Sequence, residues 1–344
     1  MLSRTARTLL VFSSILILAA VCYLPIRLNS PAARALDDGT ARTPPMGWNS
    51  WNHFGCDVTE QLIKHTADAM VASGMRDAGY QYVVIDDCWQ VSRDSQGAIV
   101  ADPQRFPSGM AALGDYIHAR GLKFGLYTDA GYRTCMGRPG SLGHEWQDAA
   151  TYAAWGVDYL KVDWCAAEGL DAATQYALFR DALAATGRPI VLSICTWGEQ
   201  NPWDWGRGTG HLWRTTRDIA DRWPVVLQII RENVVRAYAG GPGGWNDPDM
   251  LEIGNGHMTD AEYRSHFSLW AMMAAPLFAG NDLTRMSDAT RDILLNPEVI
   301  AVDQDRRGTP ALIVYDDGGR QVWSRPLENP NARAVALFNP TDLP

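Results

Sequence analysis

Eight times between residues 46 and 282 a short apolar run gives way to a segment with helical spacing, and that alternation leaves few folds open. The runs are MGWNSW (46–51), QYVVIDDCW (81–89), KFGLYTD (123–129), DYLKVDW (158–164), PIVLSICTW (189–197), LWRTT (212–216), GGWNDPDM (243–250) and APLFAGND (275–282). Helix-like stretches such as TEQLIKHTADAMVASGMRDAG and MAALGDYIHARG lie between them, several closed by glycine where a helix C-terminus expects one. Eight such units in this length predict an α/β fold of the (β/α)8 barrel type. A doubly wound sheet is the competing fold, but no G-x-G-x-x-G turn follows the first strand. From about Thr309 the pattern changes to ALIVYDD, RQVWSRPL and ARAVALFNP, strands joined by polar turns with no helix between them. That reads as the start of a C-terminal antiparallel β-domain, with too few strands to bury both faces of a sandwich, so a partial domain is expected.

The first residues set the compartment. Arg4 and Arg7 precede an apolar run from about Leu9 to Leu24, and Ala33-Arg34-Ala35 supplies a small-x-small cleavage pattern. Residues 1–35 therefore read as a signal peptide, with an uncleaved anchor as the rival, since the run is long for a signal and short for a span. The expected domains are the signal at 1–35, a catalytic barrel at 36–308 and the β-domain from 309 to 344. The chain carries a net charge of −9, and the signal segment holds four arginines and no acidic residue. A more acidic exported chain argues against a nucleic-acid partner and against a stable membrane partner other than through such an anchor. The seven histidines and six cysteines form no C-x-x-C, H-x-H or H-E-x-x-H spacing, so no metal site and no cofactor is expected. Export leaves Cys56, Cys88, Cys135, Cys165 and Cys195 in a disulfide-permissive compartment, an odd number that requires a free thiol.

A barrel builds its site at the C-terminal ends of its strands. There the sequence sets Trp48 and Trp51, Asp86 and Asp87, Tyr127 and Asp129, Lys161 and Asp163, Cys195 and Trp197, Arg214 and Asp218, and Asp247, Asp249 and Met250. A single acid after a strand more often caps the next helix than performs chemistry. Lys161 and Asp163 are different: two residues apart on one strand, both point inward if either does, into a layer usually filled by Val, Ile or Leu. Carboxylates and aromatic plates gathered at one end suit a sugar, which has an apolar C–H face and a ring of hydroxyls.

From TPPMGWNSWNHFGC through VIDDCWQ, FGLYTDAG, YLKVDWC and RTTRDI to GGWNDPDMLEIGNG, the chain resembles glycoside hydrolase family 27, the α-galactosidase and α-N-acetylgalactosaminidase group of clan D. The resemblance covers about residues 43 to 344. It implies a (β/α)8 barrel with a following β-domain and retaining hydrolysis of terminal α-galactosyl linkages. By motif, Asp163 in YLKVDWC matches the nucleophile and Asp218 in WRTTRDI the general acid/base, which must begin protonated. Asp86 and Asp87 match binders of the 4- and 6-hydroxyls, Lys161 of the 3- and 4-hydroxyls and Arg214 of the 2-substituent. Trp48 would stack on the sugar, Tyr127 and Met250 would flank the nucleophile, and Cys195, Thr196 and Trp197 would line the wall. The resemblance also implies disulfides Cys56–Cys88 and Cys135–Cys165, leaving Cys195 free. Thr196 departs from the Glu expected between Cys and Trp; a shorter side chain there opens volume beside the 2-position, while Glu199 keeps a large residue where 2-acetamido enzymes carry Ala. α-Galactosidase is therefore the first expectation. α-N-Acetylgalactosaminidase and β-L-arabinopyranosidase follow as alternatives, and a sugar-binding barrel without turnover comes last.

Overall fold

The computed structural model describes residue 36 and residues 38–341. The expected signal segment lies outside them. Among the described residues no helix is long and apolar enough to cross a membrane.

In chain order the strands are β1 (Met46–Asn49), β2 (Tyr82–Ile85), β3 (Gln90–Arg93), β4 (Ile99–Ala101), β5 (Lys123–Asp129), β6 (Tyr159–Asp163), β7 (Val191–Ile194), β8 (Leu212–Arg214), β9 (Trp245–Asp247) and β10 (Leu277–Ala279). Eight of them form one parallel sheet in the order β10-β1-β2-β5-β6-β7-β8-β9. The sheet curls until the chain just past β9 meets β10. Leu251 bridges Ala279, its N–H donating to the Phe278 carbonyl at 2.7 Å while Gly280 N–H donates back to Leu251 at 3.0 Å. All eight expected strands are present, seven of them shorter than their apolar runs and β5 matching its run end to end, and the fold is the (β/α)8 barrel. The hairpin β3–β4, inserted after the second barrel strand, was not expected.

The interior is filled from alternate residues of successive strands, with Tyr82, Val84, Tyr159, Val191, Leu212, Trp245 and Phe278 forming one buried cluster. Tyr159 packs between Tyr82 and Phe278 at ring distances of 5.4 and 5.1 Å. Gly47 is required beside them, because a Cβ there would come within 2.5 Å of the Tyr82 carbonyl. Helices cover the outside. Their starts are signalled locally: Thr59 and Asp171 accept N–H groups of the first turns of the helices Glu60–Ala72 and Ala172–Ala185, and Thr259 with Glu262 closes a full capping box on Asp260–Met273.

After the barrel come β11 (Leu312–Asp316), β12 (Gln321–Pro326) and β13 (Arg333–Phe338), an antiparallel sheet in that order. One face lies against the barrel's last helices, with Trp323 and Arg325 fully buried and the Arg325 guanidinium donating to the carbonyls of Ala271 and Asp303. Ala311 N–H also donates to Met272, and sheet and barrel belong to one compact unit. The other face exposes Leu312, Val314, Val335 and Leu337.

Candidate active site

β6 carries the centre. Its register with β5 sets Lys161 opposite Tyr127 and Asp163 opposite Asp129, so both charged side chains of YLKVD turn inward at the strand's C-terminal end. The Lys161 ammonium lies 2.8 Å from Asp86 Oδ2, which also accepts the Asn49 amide at 2.7 Å. Burial alone would lower the Lys161 pKa, but Asp86, Cys195 and Asp163 together hold it well above its ordinary value. The ammonium is therefore a fixed positive charge shared between two carboxylates, and its short contact is to Asp86.

Asp163 is 5% exposed. Tyr127 Oη donates to its Oδ2 at 2.8 Å and the Trp164 N–H to its Oδ1 at 3.1 Å, while the disulfide sulfur of Cys135 stands 3.3 Å from Oδ2. Burial pushes its pKa up to about 6, with Lys161 and the hydrogen bonds from Tyr127 and Cys195 pulling the other way. Asp129, fully buried, accepts the N–H groups of Gly131 and Cys165, and burial plus the neighbouring Asp163 push it to about 8. It ties together the turns after β5 and β6 beside Asp163.

Asp218 has the opposite surroundings. Its side chain is 70% exposed and accepts from Arg214 Nη2 at 2.9 Å, while the same guanidinium pairs with Asp249 at 2.9 Å. The enclosing walls would raise the Asp218 pKa, but Arg214, then Lys161 and Arg217, hold it below the ordinary carboxylate value. The expected protonation order is thus inverted in the unliganded pocket: the buried Asp163 titrates above the open Asp218. The buried Cys195 thiol, which helps pull Asp163 down, accepts from Arg214 Nη1 at 3.6 Å.

Asp87 accepts the N–H groups of Cys88 at 2.7 Å and Met136 at 3.0 Å, and burial raises its pKa. The disulfides Cys56–Cys88 and Cys135–Cys165 are both formed, and Cys195 is free. Asp129, Asp163, Cys135 and Cys165 come close enough to suggest a metal cluster, but their two sulfurs are spent on each other as a disulfide. Met250 lines a narrow cavity of about 20 Å³ under the carboxylates with Tyr159, Lys161, Arg214 and Asp247, room for about one water.

Two expectations change. Trp48 is fully buried, packs edge-on to Phe54 and donates its indole N–H to the Asn281 carbonyl at 2.8 Å. The cause is strand alternation: Gly47 and Asn49 face the interior, so Trp48 faces the helices and offers no face to a sugar. Trp51, three residues on, is partly exposed and packs on the interior cluster that contains Met250 and Phe278. Thr196 is also fully buried, and its hydroxyl donates to the Glu199 carbonyl at 2.9 Å rather than reaching the pocket. Glu199 turns to Arg217 at 2.7 Å, whose guanidinium lies 5.9 Å from the partly buried Trp197 ring. Asn49, which orients Asp86, was missed; its signal was its place two residues from Gly47 on the inward face of β1.

The family described as Alpha galactosidase A matches residues 43–305. The chain is 53% identical over 314 residues to "Alpha-galactosidase A" of Cellvibrio japonicus (strain Ueda107), covering 88% of this chain and 77% of that protein. It is 54% identical over 308 residues to "Alpha-galactosidase" of Oryza sativa subsp. japonica, covering 89% and 74%. The crystal structure of alpha-galactosidase I from Mortierella vinacea superimposes with a TM-score of 0.85 at 42% identity, covering 88% of this chain and 83% of that one.

Proposed function

The chain belongs to the Alpha galactosidase A family, glycoside hydrolase family 27, and from that premise we propose an exported, retaining α-galactosidase that removes terminal α-D-galactosyl units from oligosaccharides or glycoconjugates. What supports the reading is a buried carboxyl, Asp163, at the C-terminal end of the fourth barrel strand, and an open one, Asp218, in the loop after the sixth.

Asp163, as carboxylate, attacks the anomeric carbon while Asp218 gives its proton to the departing oxygen. The galactosyl–Asp163 ester is then hydrolysed by a water that Asp218 deprotonates, so Asp163 leaves as a carboxylate and Asp218 regains its proton. Two inversions return the product to the α configuration. Tyr127 Oη and the Trp164 N–H hold the Asp163 carboxylate in line. Lys161 and Asp86, already paired, present one donor and one acceptor to the ring hydroxyls, and Asp87 adds a second acceptor. Arg214 reaches the 2-hydroxyl; as it does, its hold on Asp218 weakens, and a leaving group that displaces water raises the Asp218 pKa toward the protonated form the first step needs. Trp51 supplies the apolar platform.

The 2-acetamido sugar is the second reading, favoured by the missing Glu at 196 and opposed by Glu199, which Arg217 holds at the same wall. Export accords with the two disulfides.

The test is hydrolysis of 4-nitrophenyl α-D-galactopyranoside beside the α-N-acetylgalactosaminide and the β-L-arabinopyranoside, with the first-formed anomer read by NMR. Asp163→Ala should lower kcat by at least about a thousandfold with circular dichroism unchanged. Hydrolysis of none of the three, or β-galactose as first product, would sink the reading.

A further inference from the structure

The disulfide Cys135–Cys165 takes no part in the proposed reaction, yet it lies against Asp163. One oxygen each from Asp129 and Asp163 and the sulfurs of Cys135 and Cys165 all fall within 4.8 Å of one another. Cys135 Sγ stands 3.3 Å from Asp163 Oδ2, and the Cys165 N–H donates to Asp129 Oδ2 at 2.9 Å. Both carboxyls are buried, whereas Cys135 is exposed and Cys165 partly so.

These four groups are held together without the S–S bond. Register sets Asp129 opposite Asp163, and the Ala130 N–H donates to the Asp163 carbonyl at 2.9 Å. A Cβ on Gly131 would stand 2.1 Å from the Cys165 carbonyl, so the turn after β5 lies backbone to backbone against the turn after β6. Breaking the disulfide therefore leaves two thiols beside two carboxyls. Two thiolates and two carboxylates suit Zn²⁺, which takes four ligands in a tetrahedron at about 2.3 Å for sulfur and about 2.0 Å for oxygen. In that geometry the sulfurs stand roughly 3.8 Å apart, too far for a bond, so the site exists only in the reduced chain. Tyr127 Oη on Asp163, and the N–H groups of Gly131 and Cys165 on Asp129, are outer donors that orient the two carboxylates.

We infer that reducing Cys135–Cys165 turns this cluster into a Zn²⁺ site with Cys135, Cys165, Asp129 and Asp163 as ligands, and that zinc bound there switches the enzyme off. The reductant is a dithiol. Its thiolate attacks the exposed Cys135 sulfur, its second thiol resolves the mixed disulfide, and it leaves as its own cyclic disulfide while both cysteines become thiols. Their two protons are released as zinc takes the thiolates. The loss of activity rests on the proposed role of Asp163, because a carboxylate that ligates zinc cannot attack an anomeric carbon; the metal site does not rest on it.

The test reduces the full chain with tris(2-carboxyethyl)phosphine, which becomes its oxide with oxygen from water and chelates zinc far less than a dithiol does. Co²⁺ and then Zn²⁺ are added to the reduced wild type, the oxidised wild type and reduced Cys135→Ser/Cys165→Ser. The reduced wild type should bind one more ion per chain than the double variant, with thiolate-to-cobalt charge-transfer absorption that Zn²⁺ abolishes, and the oxidised chain should show no such band. Asp129→Asn and Asp163→Asn should each weaken Co²⁺ binding at least about tenfold, a loss that an outer partner alone can cause. At zinc about ten times its Kd, the reduced wild type should hydrolyse 4-nitrophenyl α-D-galactopyranoside about tenfold more slowly and recover when a chelator is added, and the double variant should not respond to zinc. The inference is overturned by any of four results: no ion beyond those the double variant binds, an affinity that either Asn variant leaves unaltered, loss of native circular dichroism in the reduced, metal-loaded chain, or metal binding that leaves the rate unchanged. Absence of activity in the oxidised wild type is a different result: it removes the α-galactosidase reading, and the cobalt spectrum still decides the site.

Discussion

Asp163 and Asp218 show how much of an active site is environment. The two residues are chemically identical, yet burial carries one up to about 6 while Arg214 holds the other below the usual range. The proposed retaining reaction requires one proton on the pair. That state fills between the two values: below the lower one both carboxyls are protonated and no nucleophile exists, and above about 6 both are ionised and no acid remains. The profile of kcat/KM against pH should therefore be a bell with its basic limb near pH 6 and an acidic optimum. A profile that stays flat to pH 8 would contradict this electrostatic picture. Because the active form is the less populated placement of that one proton, replacing Arg214 should move the acid limb upward as well as weaken sugar binding.

At the scale of elements, the period of two decides which side chain can do chemistry. YLKVD was legible on that basis: once Tyr159 was inward, Lys161 and Asp163 had to be. The same rule, applied to MGWNSW with the inward residue fixed at Gly47, puts Trp48 among the helices, and Trp51 packs on the interior cluster only because the chain leaves the strand after Asn49 and turns into a short helix. Sequence pattern could not locate that turn, since all six residues are apolar or small and polar. The eight strands and the glycine helix ends were readable; the hairpin β3–β4 was not, because QVSR and IVA are too short and too mixed to carry a period. The contrast gives a paired prediction. Trp51→Ala should raise KM for the nitrophenyl galactoside about tenfold or more with Tm nearly unchanged, by loss of a stacking surface. Trp48→Ala should cost about 3–5 kcal/mol of stability through the cavity it leaves. Thermal melts and Michaelis–Menten curves of both variants check it, and the opposite pattern would return the sugar platform to Trp48.

For the molecule as a whole, the same burial that tunes the site sets the response of the fold to pH. Burial pushes Asp129 and Asp303 up to about 8 and Glu252 to about 7, the first with help from Asp163, the second against the pull of Arg325. Each raised carboxyl keeps a proton in the folded state that the unfolded chain has already released. The stability it contributes is complete below the unfolded value and is lost as pH rises through the folded one. His266, buried and lowered to about 3, works in the reverse sense but only below its unfolded value of 6.5, so it is nearly silent above neutrality. Asp163 and Asp247, at about 6, have largely ionised by then. Between about pH 7 and 8.5 the balance therefore falls to Asp129 and Asp303, each worth about 1.4 kcal/mol per pH unit while it remains protonated in the fold. Tm should drop by roughly 5 °C across that interval. Asp303 ends the helix Pro297–Asp303 where β12 meets the barrel, and its carbonyl accepts from Arg325. Asp303→Asn, which cannot titrate, should flatten the slope of Tm against pH and leave the basic limb of kcat/KM where it was; a Tm that holds or rises from pH 7 to 8.5 in the wild type would show that these carboxyls ionise in the fold as readily as in the unfolded chain.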